Sequence, residues 1–372
     1  MSSRARAKPH IIVIGAGVVG ASVGWNLTLQ NADVTIVASD IGGTATLNSF
    51  SWLNASWRNP RYYYDFRRRS MAAWKRLAEE VPGLRDIMQW CGSLEWDMPP
   101  EELAEYERAH GAWGYDIRRA ERSEIHEREP WLSSDVLPEW GLRIGEEGFV
   151  EAADAASLMV ADAQTRGARL VSATVSALVK EDSRVKGVVL MTGEKLSADH
   201  VVITAGVGST QLCASVDITL PVTGVAGLLV RSKPIAKRLL NGLVISSGPH
   251  MRQTAKGCIL AGAGFAGGDP GENPQKTAEE LFARVKGMFS LEASDADALQ
   301  LDCFTIGQRP MPQDRLPILG ASGLEGLSLA VMHSGVTLAA IVGEVLADEI
   351  VNGRKDSALG DYALDRFASA SF

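Results

Sequence analysis

The chain has 372 residues, of which 46% are apolar and 22% are charged, which is typical of a globular protein with two cores. Its formal net charge of −8 opposes phosphate backbones and argues against nucleic acid as a partner, although residues 58–69 are locally basic. The four cysteines show no CxxC spacing, which argues against a metal site or a disulfide framework.

Apolar runs in this sequence do not predict a membrane span. Residues 329–345 form one of the longest, but His333 and Glu344 interrupt it and it is too short. The first residues, MSSRARAKPH, are basic and lack the apolar core of a secretory signal. We therefore expect a cytoplasmic protein without a transmembrane segment.

The first predicted elements form a βαβ unit. Residues 10–14 are a β-branched run that ends in the glycine-rich stretch GAGVVG. Apolar residues then recur at helical spacing over residues 19–29, and residues 33–37 form a second strand. This order of strand, glycine-rich turn, helix and strand is the context in which such a turn carries information.

An amphipathic helix is predicted over residues 60–81. The side chains near its apolar side are Tyr63, Phe66, Met71, Trp74 and Leu77. The basic side chains available for the other side are Arg67, Arg68, Arg69 and Lys75. Residues 90–145 are mixed, acidic and rich in Trp, and no element is assigned there.

The second half of the chain alternates strands and helices. Residues 149–175 read as a helix closed by Gly167 and followed by a strand, and residues 185–209 as a hairpin that leads into a buried strand. Strand-like runs occupy residues 218–305 with one helix near 277–289. The last elements are a strand and a helix over residues 334–352.

The glycine-rich turn predicts a dinucleotide site. Gly15 permits a tight turn, Gly17 lets the backbone approach a pyrophosphate, and Gly20 lets the helix pack on the strand. The helix N-terminus then attracts the phosphate charge. The alternative is a glycine-rich turn with a purely structural role.

Ala38 occupies the position at which a ribose-binding Glu or Asp is expected. Because an alanine side chain accepts no hydrogen bond, we expect Asp40 to reach back to the ribose with Ser39 assisting; the alternative is a solvated loop aspartate. No Arg or Lys stands there to pair with a 2′-phosphate, which argues against NADP.

Four stretches together resemble a known family. They are IGGTATLNSFSWLN (41–54), VVITAGVGS (201–209), GQRPMPQDRLPILG (307–320) and LAVMHSGVTLAAIVGEVLADEI (329–350). In this order they resemble the D-amino acid oxidase superfamily of FAD proteins, in particular its glycine oxidase and sarcosine oxidase branch. The likeness covers nearly the whole chain and is weakest over residues 53–145.

The resemblance implies an α/β fold in which a Rossmann-like FAD-binding domain carries an inserted α+β substrate domain built on a mainly antiparallel sheet. The FAD-binding domain is expected to comprise residues 1–55, 146–215 and 306–372. The substrate domain is expected to comprise residues 56–145 and 216–305.

The resemblance also implies the cofactor contacts. Gly15, Gly17 and Gly20 hold the pyrophosphate; Thr44, Ala45 and Thr46 lie along phosphate and ribityl; the backbone at Val175 meets the adenine; and Ala205 and Gly206 form a third nucleotide-side element. The sarcosine oxidase branch ties its flavin to a cysteine, but Cys303 lies too far before the GQRP stretch to match. We therefore predict non-covalent FAD.

The helix after His333 has a physical reason to face the flavin. Two-electron reduction leaves negative charge at flavin N1 and the C2 carbonyl, and the N-terminal residues Gly335, Val336 and Thr337 offer unpaired N–H donors at the positive dipole end. A Ser-capped helix that packs on the sheet is the plain structural interpretation, and it is compatible with the first. His333, Trp52 and residues 49–51 are expected near the ring, with capping and core packing as the alternatives for His333 and Trp52.

Substrate binding is predicted to depend mainly on Arg309. By the resemblance, the Arg of GxRP makes a bidentate pair with the substrate carboxylate, which suits a planar guanidinium. The alternative is an ion pair between Arg309 and Asp314 that only holds the loop.

A second set of polar residues is predicted on the strand that precedes CILAG. His250 stands where the resemblance has a carboxylate-binding Tyr, and Arg252 shares its face by the period of two. Together they suggest a substrate with two carboxylates, of the iminodiacetate kind. The alternative is a solvent-facing hairpin edge.

The expected reaction is hydride transfer from the carbon beside a substrate amine to flavin N5, followed by imine hydrolysis. Leu260 stands where the sarcosine oxidase branch has an oxygen-activating Lys, so the acceptor is either oxygen or another molecule. Three alternatives stay open: a D-amino acid or 2-hydroxy acid dehydrogenase that passes electrons to a quinone or protein, a flavoprotein subunit of a multi-chain dehydrogenase, and a non-enzymatic nucleotide-binding module.

Overall fold

A computed structural model of the chain describes residues 8–56, 58–264 and 267–368. The β-strands are β1 (His10–Ala16), β2 (Asp33–Ile41), β3 (Trp52–Leu53), β4 (Met88–Gln89), β5 (Ser93–Trp96), β6 (Ile117–Glu121), β7 (Trp140–Ile144), β8 (Gly148–Val150), β9 (Arg169–Ser172), β10 (Val175–Glu181), β11 (Arg184–Leu190), β12 (Lys195–Ser197), β13 (His200–Ile203), β14 (Val222–Ser232), β15 (Leu243–Ser246), β16 (His250–Gln253), β17 (Ile259–Gly262), β18 (Leu301–Pro312), β19 (Ile318–Ala321) and β20 (Leu327–Val331). The α-helices are α1 (Val18–Leu29), α2 (Gly43–Leu47), α3 (Arg61–Glu80), α4 (Pro100–Ala112), α5 (Arg122–Arg128), α6 (Ala152–Thr165), α7 (Ser209–Ala214), α8 (Pro274–Gly287), α9 (Ala293–Ala298) and α10 (Gly335–Asn352). Short 3₁₀ turns occupy Arg85–Ile87, Ser134–Val136, Gly206–Gly208, Ser357–Tyr362 and Leu364–Phe367.

The first sheet is mainly parallel and has the strand order β19-β20-β13-β1-β2-β9 in the described residues. Strand β1 lies at its centre and pairs in parallel with β2 and β13. Ile11 and Val13 face a core shared with α1, α6 and α10, whereas Ile12 and Ile14 face a second core with β11 and α7. Because both faces of β1 are buried, its sequence is a continuous apolar run.

The second sheet is larger and mostly antiparallel, with the order β18-β14-β17-β16-β15-β5-β7-β6 in the described residues. Its longest pairing joins β14 and β18, and only its β15–β5 pairing is parallel among those described. Helices α4 and α8 pack against it in a separate core. The predicted fold class, a Rossmann-like domain combined with a mainly antiparallel α+β domain, is confirmed.

The segments predicted for the FAD-binding domain supply the strands of the first sheet. Those predicted for the substrate domain supply most of the second sheet. Strand β18 runs across the predicted boundary at residue 306. The division at these boundaries stays a prediction.

Two regions of the chain differ from the sequence prediction. Residues 90–145, for which the sequence pattern predicts no element, contain α4, α5 and β5 to β7. Their elements are short, and α4 has a weak apolar stripe, so periodicity does not reveal them. The other difference is in α3, where Arg67 is only 3% exposed instead of lying on the solvent side with Arg69 and Lys75.

Within the described residues, no helix combines the length and apolarity that crossing a bilayer requires.

Helices α1 and α10 cross at a point where only glycine fits. A Cβ added at Gly343 of α10 would lie 2.3 Å from Ser22 Oγ and 2.8 Å from the Ser22 carbonyl oxygen of α1. Gly343 therefore allows the close approach of α10 to α1.

We expect Gly343→Ala to lower the free energy of unfolding by about 1–3 kcal/mol, since the added methyl group has no room. Gly287 at the end of α8 is the matched control, because its added Cβ meets nothing within 4 Å. Gly287→Ala should be neutral or stabilising. Urea unfolding of the two variants measures this difference, and equal midpoints would contradict the assignment.

Candidate active site

A cleft of about 470 Å³ opens where the carboxyl ends of the central parallel strands meet. The predicted cofactor residues that line it are Gly15, Gly17, Ser39, Asp40, Thr44, Ala45, Thr46, Val175, Ala205, Gly206, Gly335, Val336 and Thr337. Arg309, Trp52 and His333 line it as well. Tertiary structure thus gathers six distant segments of the chain around one cleft.

The glycine-rich turn has the conformation that its sequence predicts. Gly15 has a φ of +103°, and a Cβ there would lie 2.8 Å from the Thr204 carbonyl oxygen. A Cβ at Gly20 would lie 2.0 Å from the Gly15 carbonyl oxygen, so Gly20 lets α1 pack on the turn and does not itself line the cleft. Gly17 precedes the first turn of α1, which carries no acidic residue. Val18 N, the first N–H group of α1, donates to Thr46 Oγ1 at 3.1 Å. The helix N-terminus carries no competing carboxylate and fits a pyrophosphate.

The end of β2 carries the segment expected at the ribose. Ala38 is half-buried and its carbonyl accepts a hydrogen bond from Ala173 N at 3.1 Å. Ser39 and Asp40 are exposed and line the cleft. Asp40 is the only carboxylate among the lining residues of the described chain. Its contact with a ribose stays a prediction.

The first turn of α10 closes the other end of the cleft. Ser334 has a φ of +59° and makes no side-chain capping bond; its Oγ lies 3.0 Å from His333 Nδ1. The interpretation of α10 as a Ser-capped helix is therefore wrong, because the hydroxyl is turned to the histidine. The N-terminal N–H groups of α10 are left to a ligand, as the flavin prediction requires.

Arg309 lies on β18, opposite Val225 of β14. Its Nη2 donates to the Ala226 carbonyl at 2.9 Å and its Nε to the Val225 carbonyl at 3.4 Å. Asp314 is paired instead with Arg366, at 2.7 Å, so the alternative Arg309–Asp314 pair is wrong. Burial lowers the pKa of Arg309, but a guanidinium stays charged at neutral pH. Arg309 thus brings a positive charge to the wall of the cleft.

The structure does not bring His250 and Arg252 to the cleft. Arg252 is 1% exposed and makes a two-point ion pair with Glu151, at 2.8 and 3.1 Å, while its Nε donates to the Phe50 carbonyl. His250 is buried, and its Nε2 lies 3.5 Å from Asp97 Oδ2. Strand β16 lies between β15 and β17, so the alternative of a solvent-facing edge is also wrong. Arg252 is committed to its ion pair and cannot serve as a second carboxylate site.

A buried carboxylate pair behind Trp52 was not found from the sequence. Glu147 accepts hydrogen bonds from Trp52 Nε1 at 2.8 Å and from the Tyr115 hydroxyl at 2.6 Å. Ser93 Oγ lies 2.8 Å from Glu147 Oε2 and 2.9 Å from Glu95 Oε1. Since one hydroxyl donates one proton, both Ser93 contacts are hydrogen bonds only if one of the two carboxyl groups is protonated and donates to Ser93. The network therefore fits one shared negative charge that holds the Trp52 indole in the cleft wall.

Burial raises the pKa of both carboxyl groups. For Glu95, burial acts first and the charges of Glu147 and Asp97 add to it, so its pKa lies well above the usual value of 4.5. For Glu147, burial raises the pKa to about 7, opposed by the hydrogen bonds from Tyr115, Ser93 and Trp52. No local sequence pattern marks these residues, because Glu147 and Ser93 lie 54 positions apart.

The cleft defines a class of protein. A parallel sheet with a glycine-rich turn, two helix N-termini that open on one cleft, and a guanidinium on the cleft wall form the site of a dinucleotide-dependent oxidoreductase. The chain belongs to the DAO family of FAD dependent oxidoreductases, whose model matches residues 10–349. FAD is thus the cofactor that the glycine-rich turn, the lining threonines and the α10 terminus would hold.

Curated relatives agree with this family. The chain is 27% identical over 380 residues to the bifunctional protein ThiO/ThiG of Nostoc sp. (strain PCC 7120), with 96% of the chain covered; it spans only 55% of that longer protein. It is 26% identical to the glycine oxidase of Bacillus licheniformis, with 93% of the chain and 94% of that enzyme covered.

Among solved structures, that of glycine oxidase from Geobacillus kaustophilus superposes with a TM-score of 0.84 at 23% identity, and covers 96% of this chain and 99% of that one. The predicted superfamily and glycine oxidase branch are confirmed.

We expect Glu147→Gln to flatten the pH dependence of stability. The folded protein retains on Glu147 a proton that the unfolded chain releases, so this contribution to the free energy of unfolding is fully present below pH 4.5 and is lost as the pH rises through about 7. Urea unfolding across this range measures the slope.

The matched control is Glu146→Gln, which removes the neighbouring, partly exposed carboxylate paired with Arg68. It should keep the wild-type slope. A Glu147→Gln slope equal to that of the control would show that Glu147 is ionised throughout the range.

Proposed function

We propose that this protein oxidises the C–N bond of glycine or of an N-substituted glycine. Bound FAD supplies the two-electron acceptor for the hydride, and water hydrolyses the imine product. The observation that carries the proposal is Arg309, a guanidinium on the cleft wall with carbonyl oxygens as its hydrogen-bond acceptors and no carboxylate partner in the described chain. Such a group fits a substrate carboxylate by a two-point contact.

Arg309 would orient the substrate by binding its carboxylate. Its two backbone contacts fix the guanidinium, and a carboxylate held there presents the neighbouring C–H bond in one direction. Among the described lining residues the only carboxylate, Asp40, lies at the end of β2, on the nucleotide side of the cleft. We therefore propose that the substrate amine loses its proton to water before the reaction.

His333 supports this division of roles. Burial, with the charges of Arg309, Arg67 and Arg315, lowers its pKa to about 3. A neutral imidazole at the cleft neither adds a third positive charge nor donates a proton to the leaving amine at neutral pH.

A single carboxylate on the substrate is favoured over two. The suggestion of a dicarboxylate such as iminodiacetate depended on His250 and Arg252, and neither lines the cleft. We therefore rank glycine and monocarboxylate N-alkyl glycines above iminodiacetate.

The electron acceptor is the second open point. Leu260 packs with Phe50, Trp52 and Leu229 in an apolar cluster, at the position where the resemblance has a lysine. This favours, as a second candidate function, a D-amino acid dehydrogenase that passes electrons to a quinone or a protein instead of oxygen.

An anaerobic screen tests the function. Glycine, sarcosine, iminodiacetate and a set of D-amino acids are mixed with the FAD-loaded protein, and loss of the oxidised flavin absorbance is followed. We expect glycine or an N-alkyl glycine to reduce the flavin fastest. Subsequent admission of oxygen or of a quinone analogue identifies the acceptor. A flavin that none of these compounds reduces would refute the proposed substrate class.

We expect Arg309→Met to raise KM for the amino acid substrate about 10- to 100-fold, the cost of a lost charge-assisted hydrogen bond, while the FAD stays bound. Steady-state kinetics and the flavin spectrum measure the two effects. Arg252→Met is the contrasting variant: it should lower stability by breaking the pair with Glu151 and leave KM unchanged. Loss of flavin from Arg309→Met, or equal KM effects in the two variants, would contradict the assignment.

A further inference from the structure

Arg67 is a buried charge that has no charged partner among the described residues. It follows Phe66 on α3 and is 3% exposed. The next two residues are also arginines, and both are ion-paired, Arg68 with Glu146 and Arg69 with Asp356. Arg67 instead donates to the Asn54 carbonyl at 3.0 Å, to Asn54 Oδ1 and to the Tyr63 hydroxyl at 3.4 Å. In the described part of the chain, no carboxylate pairs with it.

Such a charge is costly. A guanidinium out of water needs an opposite charge or the protein loses several kcal/mol of solvation, of which neutral acceptors return only part. Arg67 also lines the cleft, so a ligand bound there can contact the guanidinium. A ligand that brings a negative charge to this position would offset the desolvation cost.

The contacts of Arg67 place it beside the first turn of α10. Asn54, its main acceptor, donates from its backbone N to Thr337 Oγ1 at 3.4 Å. Ser70, one turn further along α3, donates to the Thr337 carbonyl at 2.6 Å, and Trp74 donates to the Val336 carbonyl at 2.9 Å. Helix α3 is thus held to the N-terminal turn of α10, whose N–H groups and dipole already favour an anion.

Arg309 is held by a different part of the protein. Its acceptors are carbonyl groups of β14 in the large antiparallel sheet, whereas those of Arg67 are on the Trp52–Asn54 segment and α3. The two guanidiniums line one cleft but are held by different elements of the fold. Two cations with separate supports are suited to two separate negative charges.

We propose that Arg67 is the counter-charge of the reduced flavin. Bound FAD, once reduced by two electrons with one proton at N5, would carry one negative charge over N1 and the C2 carbonyl, and the N–H groups of the first turn of α10 would suit that charge. Arg67 stabilises this anion, and Arg309 stays available for the substrate carboxylate. The inference needs FAD at α10 and does not depend on which amine is the substrate.

Few other ionisable groups face this position. His333 is neutral above its pKa of about 3, which burial and the Arg309, Arg67 and Arg315 charges lower. Asp40 lines the cleft at the glycine-rich turn. Within the described residues, the remaining cleft lining at α10 is uncharged apart from Arg67 and Arg309. In the part of the chain that the structure describes, no carboxylate at this position therefore opposes the charge of Arg67.

The test is the reduction equilibrium of the bound FAD, measured by dye equilibration without any substrate. Arg67→Met should disfavour two-electron reduction at least tenfold, which is about 30 mV for this couple. Arg67→Lys keeps the charge and should recover most of the loss. Arg69→Met, which removes a paired cation two residues along the same helix, is the matched control and should match the wild type.

Two further measurements test the proposal independently: the pH dependence of the midpoint potential and the affinity for carboxylate ligands. In the wild type, the midpoint potential should change with pH as expected for one proton taken up per two electrons, because the reduced ring stays anionic. A slope of two protons per two electrons would overturn the proposal. This measurement needs no variant. The second measurement is the affinity for the carboxylate ligands acetate and iminodiacetate. If Arg67→Met leaves the potential unchanged and weakens one of these ligands, Arg67 belongs to the substrate site and the proposal is wrong. If no compound reduces the flavin in the anaerobic substrate screen, both of these measurements can still be made, because neither uses an amine substrate.

Discussion

Two helix N-termini held side by side are the constraint on which the site depends. Gly17 opens α1 and Gly335 opens α10, and both line the same cleft. Gly343 lets the helices touch, since a methyl group there would meet Ser22 at 2.3 Å. The parallel sheet thus presents two positive dipole ends to one ligand. FAD carries negative charge at its pyrophosphate and, once reduced, at its ring, so the geometry of the helix pair matches the cofactor.

The arginines that line the cleft differ in their partners from the buried or paired arginines named above. Arg252, deep in the large sheet, is neutralised by Glu151, and the arginines on the outer face of α3 are neutralised by Glu146 and Asp356. Arg67 and Arg309 are bound only by neutral acceptors in the described structure. Two buried or half-buried cleft cations that lack a carboxylate partner in the described structure suit anionic ligands at both positions.

The part of the cleft wall formed by Trp52 is held in place by a buried carboxylate. Trp52 lines the cleft on one side and donates its indole N–H to Glu147 on the other. The Tyr115 hydroxyl donates to Glu147 and accepts from Ala55 N at 3.0 Å, so one carboxylate fixes both ends of the segment that also carries Asn54. Because Asn54 is the main acceptor for Arg67, the buried carboxylates and the cleft cation belong to one connected network.

The sequence alone determined the βαβ unit, the glycine-rich turn and the C-terminal helix, because each is recorded in neighbouring residues: a period, a glycine at a strained turn, an apolar stripe. It also placed Arg309 and all but one of the predicted cofactor residues on the cleft. Only the tertiary structure decided which arginines have a carboxylate partner and which have neutral acceptors alone. Arg252 lies 101 residues from Glu151 and 202 from Phe50, and Arg67 turns inward to Asn54 from a helix whose pattern predicts an outward face. The state of a charged side chain depends on partners that the fold brings from a distance, and no local pattern encodes them.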